Sequence, residues 1–108
     1  MAGLRPLSSK ARLVKAHVDM LNAEGTLTTF EEVAIAVLGR AGSARAVGSI
    51  NSALTDRNGG DRYPGTDLVL NKNRTVAGTT TLERAVQMLR ERGYAVVRRG
   101  AAYHVQQQ

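Results

Sequence analysis

An α+β fold of winged-helix type, three helices leading into short strand pairs, is what this sequence predicts, and three observations predict it. Apolar residues recur at spacings of three and four from Ala11 to Leu54, in stretches punctuated by Gly25 and Gly39. The second and third stretches are joined only by the glycine-containing linker GRAG at residues 39–42, as in a helix-turn-helix. Beyond residue 62 the pattern changes to short apolar runs separated by turn residues.

In order along the chain, residues 1–7 read as a loose leader, 8–105 as one domain and 106–108 as a tail. Ser8 or Ser9 can cap a first helix running to Glu24, with Gly25 as its stop and Ala11, Val14, Val18 and Leu21 on its buried stripe. Thr29 and Glu32 have capping-box spacing and start a second helix, with Phe30, Val33, Ala34, Val37 and Leu38 as its apolar face and Gly39 as its end. Ser43 is the expected cap of a third helix reaching Leu54, with Val47, Ile50 and Leu54 inward. Residues 55–62 (TDRNGGDR) form a loop. Leu68-Val69-Leu70 and Thr75-Val76-Ala77 are expected to pair as a hairpin across Asn71-Lys72-Asn73. Thr80 and Glu83 open a fourth helix that carries Leu82, Val86 and Leu89 inward and stops at Gly93. Residues 94–97 and 102–105 then form a second hairpin, the wing, tipped by Arg98 and Arg99.

Composition limits the chemistry. A chain of 108 residues with 43% hydrophobic content suits one small domain. The sequence has no cysteine, so disulfides, thiolate metal sites and a cysteine nucleophile are excluded. His17 and His104 are the only histidines, which argues against zinc, and no cofactor is implied. Ser43 and Ser49 lack a histidine or carboxylate at motif spacing, and Glu31-Glu32 is explained by helix-start capping, so no enzyme is expected. A net charge of +6 and a pI near 10.5 favour an anionic partner, and the basic residues are scattered, so folding must assemble the basic surface. Aromatic content of 4% is too low for a platform stacking several single-stranded bases. No apolar run approaches the roughly 20 residues of a membrane span, and a cytoplasmic, nucleoid-associated protein is expected.

The third helix is the most informative stretch. Around Arg45 lie Gly42, Ser43, Ala44, Ala46, Gly48 and Ser49, leaving one cation on a rod with little bulk. The minor groove of B-DNA is only roughly 6 Å wide, so a helix entering it needs such stripped positions, and a protruding cation could reach the base stack. The competing reading is a tightly packed core helix, in which a buried Arg45 would need a partner that the segment does not supply.

Two stretches resemble a known family. Thr29-Phe30-Glu31-Glu32-Val33-Ala34 is similar to the T-Y-G-E-I-A of the DNA-binding domain of O6-alkylguanine-DNA alkyltransferases, and Ala44-Arg45-Ala46-Val47-Gly48-Ser49 to that family's A-R-A-V-G-S helix. At lower specificity, Tyr63-Pro64 resembles the approach to P-C-H-R-V, residues 67–77 the hairpin that follows and residues 82–93 the final helix. The resemblance implies double-stranded DNA as partner, containing O6-alkylguanine in the sharper version. It also implies minor-groove docking of residues 44–52, with Arg45 as the finger that fills the place of a flipped nucleotide. Ser43, Ala44, Gly48 and Ser49 become the close-approach surface; Ser52 closes the docked segment, Thr29, Phe30 and Tyr63 are expected to contact DNA beside it, and the hairpin reading adds Arg98 and Arg99 at the wing tip. Phe30 stands for a tyrosine that helps rotate the phosphate, without its hydroxyl.

The acceptor cysteine reads Gly65, the histidine and arginine after it read Thr66 and Asp67, and an asparagine late in the third helix reads Leu54. Alkyl transfer is therefore excluded. The nearest type is the non-catalytic alkyltransferase-like proteins, which usually carry tryptophan at the cysteine position and bind alkylated DNA without repairing it. Gly65 departs from them as well, so Tyr63 would have to supply the missing pocket surface, and Asp67 would repel phosphate unless paired with Arg62 or Arg74. Two other readings stay open: a chromosome-organising or regulatory winged-helix protein without lesion recognition, and a protein-interaction module whose small-residue helix packs on a partner. A recruited repair or regulatory protein belongs to the first two.

Overall fold

Side-chain caps define the first two helices. The computed structural model describes residues 6–78 and 81–106, and in it the Ser8 hydroxyl accepts from the Ala11 amide (3.1 Å) to open helix α1, Ser9–Glu24. At the other end the Gly25 amide donates to the Leu21 carbonyl (2.7 Å). The buried stripe is Ala11, Val14, Val18 and Leu21, as the spacing predicts.

Strand β1 (Thr28–Thr29) leads straight into α2 (Phe30–Leu38). The Thr29 hydroxyl accepts from the Glu32 amide (3.2 Å), while the Glu32 carboxylate accepts from the Thr28 hydroxyl (2.9 Å). The box thus closes through a side chain, not through the cap's own amide. Thr29 is 7% exposed, and its hydroxyl is committed to the cap. Thr29→Ala is expected to cost about 1 kcal/mol, read as a lower midpoint in thermal denaturation.

Helix α3 spans Ala44–Arg57, three residues past the expected end, because Asp56 and Arg57 continue the exposed face after Leu54 is buried. A 3-10 turn at Ala41–Ser43 precedes it, and the Ser43 side chain makes no capping bond. The chain bends by 114° between α2 and the Ala41–Arg57 segment, within the range of helix-turn-helix units. Among the described residues no single helix is long and apolar enough to cross a membrane.

The expected hairpin over residues 68–77 does not form. Its first run enters a 3-10 turn (Thr66–Leu68) and then β2 (Val69–Leu70), which pairs in parallel with β1, Thr28 against Val69 and Thr29 against Leu70. Leu68, Val69 and Leu70 are all fully buried, as suits a run covered on both faces rather than a half-exposed hairpin arm. The chain still turns back, with the Asn71 amide donating to the Thr75 carbonyl (2.9 Å). Thr75 then bridges His104 on the last hairpin.

Helix α4 (Leu82–Glu91) has Thr81 at its N-cap position without a side-chain capping bond; the expected cap, Thr80, lies outside the described residues. Ala85, Val86 and Leu89 are its buried positions. Strands β3 (Ala95–Arg99) and β4 (Ala102–Gln106) form the antiparallel wing, with Val96 opposite Val105 on its inner face. Gln106, assigned to a tail from the sequence, belongs to β4. One core runs from α1 and α2 through Val47, residues 68–70 and α4 to this hairpin.

Asp67 does not face the outside. Its carboxylate is completely buried and accepts from Arg92 Nε (2.7 Å) and from the Gly65 amide (3.0 Å), and Arg92 Nη2 also donates to Asn22 Oδ1 (2.6 Å). Its partner is therefore neither Arg62 nor Arg74. The pair ties the turn after Gly65 to α1 and to the end of α4.

Candidate nucleic-acid interface

Helical geometry puts Arg45, Gly48, Ser49 and Ser52 on one face of α3, because they are spaced by three, one and three residues. Val47, Asn51 and Leu54 take the opposite, buried stripe. The exposed face forms a shallow groove together with Phe30, Ala44, Asn71, Ala77 and Gly78. Arg45 is exposed and has no hydrogen-bond or ion-pair partner among the described residues. A core position for this guanidinium is thereby excluded.

Packing does not require glycine at position 48. A Cβ there would meet only the Phe30 ring, at 3.9 Å, an ordinary contact. Glycine in a helix interior costs roughly 0.5–1 kcal/mol relative to alanine, so the empty position clears space outward at the expense of stability.

Below the groove, and sharing Phe30, Gly48, Ser52, Ala77 and Gly78 with it, opens a cleft of about 110 Å³ that reaches Asn51, Thr55, Asp56, Arg62, Thr66 and Thr81. Arg62, 7% exposed, forms its floor. The guanidinium donates to Thr66 Oγ1 (3.0 Å), the Thr66 carbonyl (3.1 Å), the Ala77 carbonyl (2.8 Å) and Thr81 Oγ1 (3.1 Å). Burial pulls its pKa below the ordinary guanidinium value, and the charge of Asp67 acts in the opposite sense. Gly78 is where glycine is needed: its φ is 106°, and a Cβ would lie 2.5 Å from Arg62 Nη1.

Asn51 also faces the cleft. It is 7% exposed, and neither its Nδ2 nor its Oδ1 has a partner among the described residues.

The structure gathers Phe30, Ala44, Arg45, Gly48, Ser49 and Ser52 and leaves other expected residues elsewhere. Ser43 is half-buried in its 3-10 turn and lines neither groove nor cleft. Tyr63 is turned to α1, where its hydroxyl donates to Asp19 Oδ1 (2.6 Å) and Lys15 Nζ lies 5.7 Å from the ring centre. Burial and the bond to Asp19 raise its pKa. It therefore supplies no surface to the cleft. Arg98 and Arg99 are exposed at the wing tip; Arg98 donates to the Gly100 carbonyl (3.1 Å) and borders a separate depression with Asp61, Arg84 and Tyr103.

Gly65 has φ 101° and is buried against α1, so that a Cβ would sit 2.4 Å from the Val18 carbonyl oxygen and 2.8 Å from Val18 Cγ1. The position matched to the acceptor cysteine thus abuts the first helix. Asn51 and Arg62 were not singled out from the sequence. Asn51 carried a signal, since it stands four residues after Val47 and three before Leu54 on the buried stripe; Arg62 carried none, because its acceptors come from residues 66, 77 and 81.

A crystal structure of S. pombe Atl1 in complex with damaged DNA containing O6-carboxymethylguanine is similar to this chain, with a TM-score of 0.71 and 19% sequence identity over 94% of this chain and 93% of that one. The fold is that of an alkyltransferase-like protein. No protein-family model matches the sequence, and no curated protein does. Within this Atl1-like fold, α3 and its groove occupy the helix-turn-helix, and the β3–β4 hairpin is the wing. Among the described residues no group of three histidine or carboxylate side chains is placed to hold a metal ion.

Proposed function

We propose that this protein is a non-enzymatic DNA-binding protein of the alkyltransferase-like type, which lays α3 in the minor groove and uses Arg45 to hold open the place of an extruded alkylated guanine. The observation that carries this reading is the unpartnered Arg45 on a face kept small beyond what packing demands. Extrusion costs a few kcal/mol in lost stacking and pairing, and an inserted guanidinium offsets part of that by stacking and hydrogen bonding in the vacated space. The net charge of +6 supplies attraction to the phosphates, each neutralised phosphate contributing about −0.9 to the slope of log affinity against log salt. Partners on this reading are duplex DNA and a recruited repair or regulatory protein, in the cytoplasm at the nucleoid.

The test is fluorescence anisotropy with matched duplexes, with and without one O6-methylguanine, at two salt concentrations. Tighter binding to the modified duplex supports the reading. Equal affinities assign the protein to regulatory or chromosome-organising winged-helix binding, and no binding at low salt assigns the α3 face to a protein partner. Gly48→Ala is expected to raise stability by about 0.5–1 kcal/mol and to weaken duplex binding, because the methyl group occupies the docking face. A variant both more stable and equally tight would remove α3 from the contact.

A further inference from the structure

We infer that Asn51 is a specificity-determining residue that reads the hydrogen-bonding edge of an extruded base in the cleft beneath α3. The inference rests on the proposed DNA binding and adds the chemistry that the cleft recognises. A buried amide with both polar atoms unpaired destabilises a folded domain, and native structures hold few such groups. Asn51 is one, and it borders the cleft that opens into the groove beside Arg45.

The amide defines its ligand. Nδ2 needs an acceptor and Oδ1 needs a donor, so the matching group carries the two side by side, as the edges of nucleobases do. An anion would satisfy Nδ2 alone and leave Oδ1 orphaned. It would also face Asp56 in the cleft lining, while the Arg62 guanidinium beneath is already spread over two carbonyls and two hydroxyls. The cleft, at about 110 Å³, is smaller than the roughly 300–1,000 Å³ of ordinary ligand pockets. It therefore takes the edge of a base and not a whole nucleoside. Phe30, common to groove and cleft, offers a ring for the face of the same base. O6-methylguanine keeps an adjacent acceptor and donor at N1 and the exocyclic amine, so it qualifies along with unmodified bases.

The experiment compares two duplexes, one with a single bulged thymine and one with a bulged difluorotoluene, which has the shape of thymine without its hydrogen bonds. Wild type is expected to bind the thymine bulge about tenfold more tightly, the effect of two net hydrogen bonds. Asn51→Leu, close to isosteric, is expected to abolish that preference and to raise Tm by about 5 °C as the orphaned amide is removed. Asn51→Ala serves as a second variant, with the same loss of preference. Lack of preference in wild type, preference retained in either variant, or a lower Tm for Asn51→Leu overturns the inference while leaving duplex binding in place. Failure of wild type to bind any duplex overturns the proposed function and this inference together.

Discussion

Gly65→Ala is expected to lower the free energy of unfolding by about 3 kcal/mol or more, a large part of the roughly 5–15 kcal/mol that holds a small domain folded. Two costs combine. A φ of 101° is a conformation that side chains with a Cβ rarely adopt, at about 1–3 kcal/mol. The new methyl group would also lie 2.4 Å from a backbone oxygen of α1, which a side-chain rotation cannot relieve, and such overpacking typically adds about 1–3 kcal/mol. Urea denaturation gives the measurement; a midpoint that moves by less than the equivalent of about 1 kcal/mol would mean that α1 yields readily. Gly65→Cys carries the same penalties and is expected to accept no alkyl group, because its sulfur starts from a Cβ pressed on Val18.

Arg45→Ala is expected to weaken binding to a duplex with one O6-methylguanine about 30-fold, equivalent to about 2 kcal/mol, the scale at which interface arginines act as hot spots. Binding to the unmodified duplex should fall much less, by the loss of one charge near phosphate. The folded state should be unaffected, since the side chain is exposed and makes no bond to any described residue. Equal losses on the two duplexes would sink the extrusion role and leave a purely electrostatic contact. Arg45→Lys separates the two further, because lysine keeps the charge but lacks the planar fork that stacks.

Local chemistry made much of the fold legible. Ser8, Gly25, Thr29 and Gly39 are caps whose effect is confined to a few neighbours, and the bounds of α1 and α2 follow from them. The same locality explains the failures. Whether residues 68–70 pair with 75–77 or with Thr28–Thr29 depends on which surface is covered, and the covering elements α1, α2 and α4 lie far away in sequence. Asp67 finds Arg92 across 25 residues, an encounter that spacing does not encode. At the candidate site, the small face around Arg45 was readable because it is one stretch of helix. Its floor was not, since Arg62 and Asn51 acquire their meaning from segments that converge only in the folded chain. Tyr63 shows the limit of carrying roles over by position: it sits beside the matched proline yet hydrogen-bonds to α1.

The guanidinium of Arg62 acts as a crossbeam. It fastens the end of the glycine-rich loop after α3 to the carbonyls of Thr66 and Ala77 and to the hydroxyl at the start of α4. Stretches with so little regular structure ordinarily fray ahead of the rest of a domain. Here the buried guanidinium ties residues 66, 77 and 81 to one point, so this corner is expected to unfold with the hydrophobic centre, and on the proposed binding mode a duplex reaching α3 would meet a braced wall.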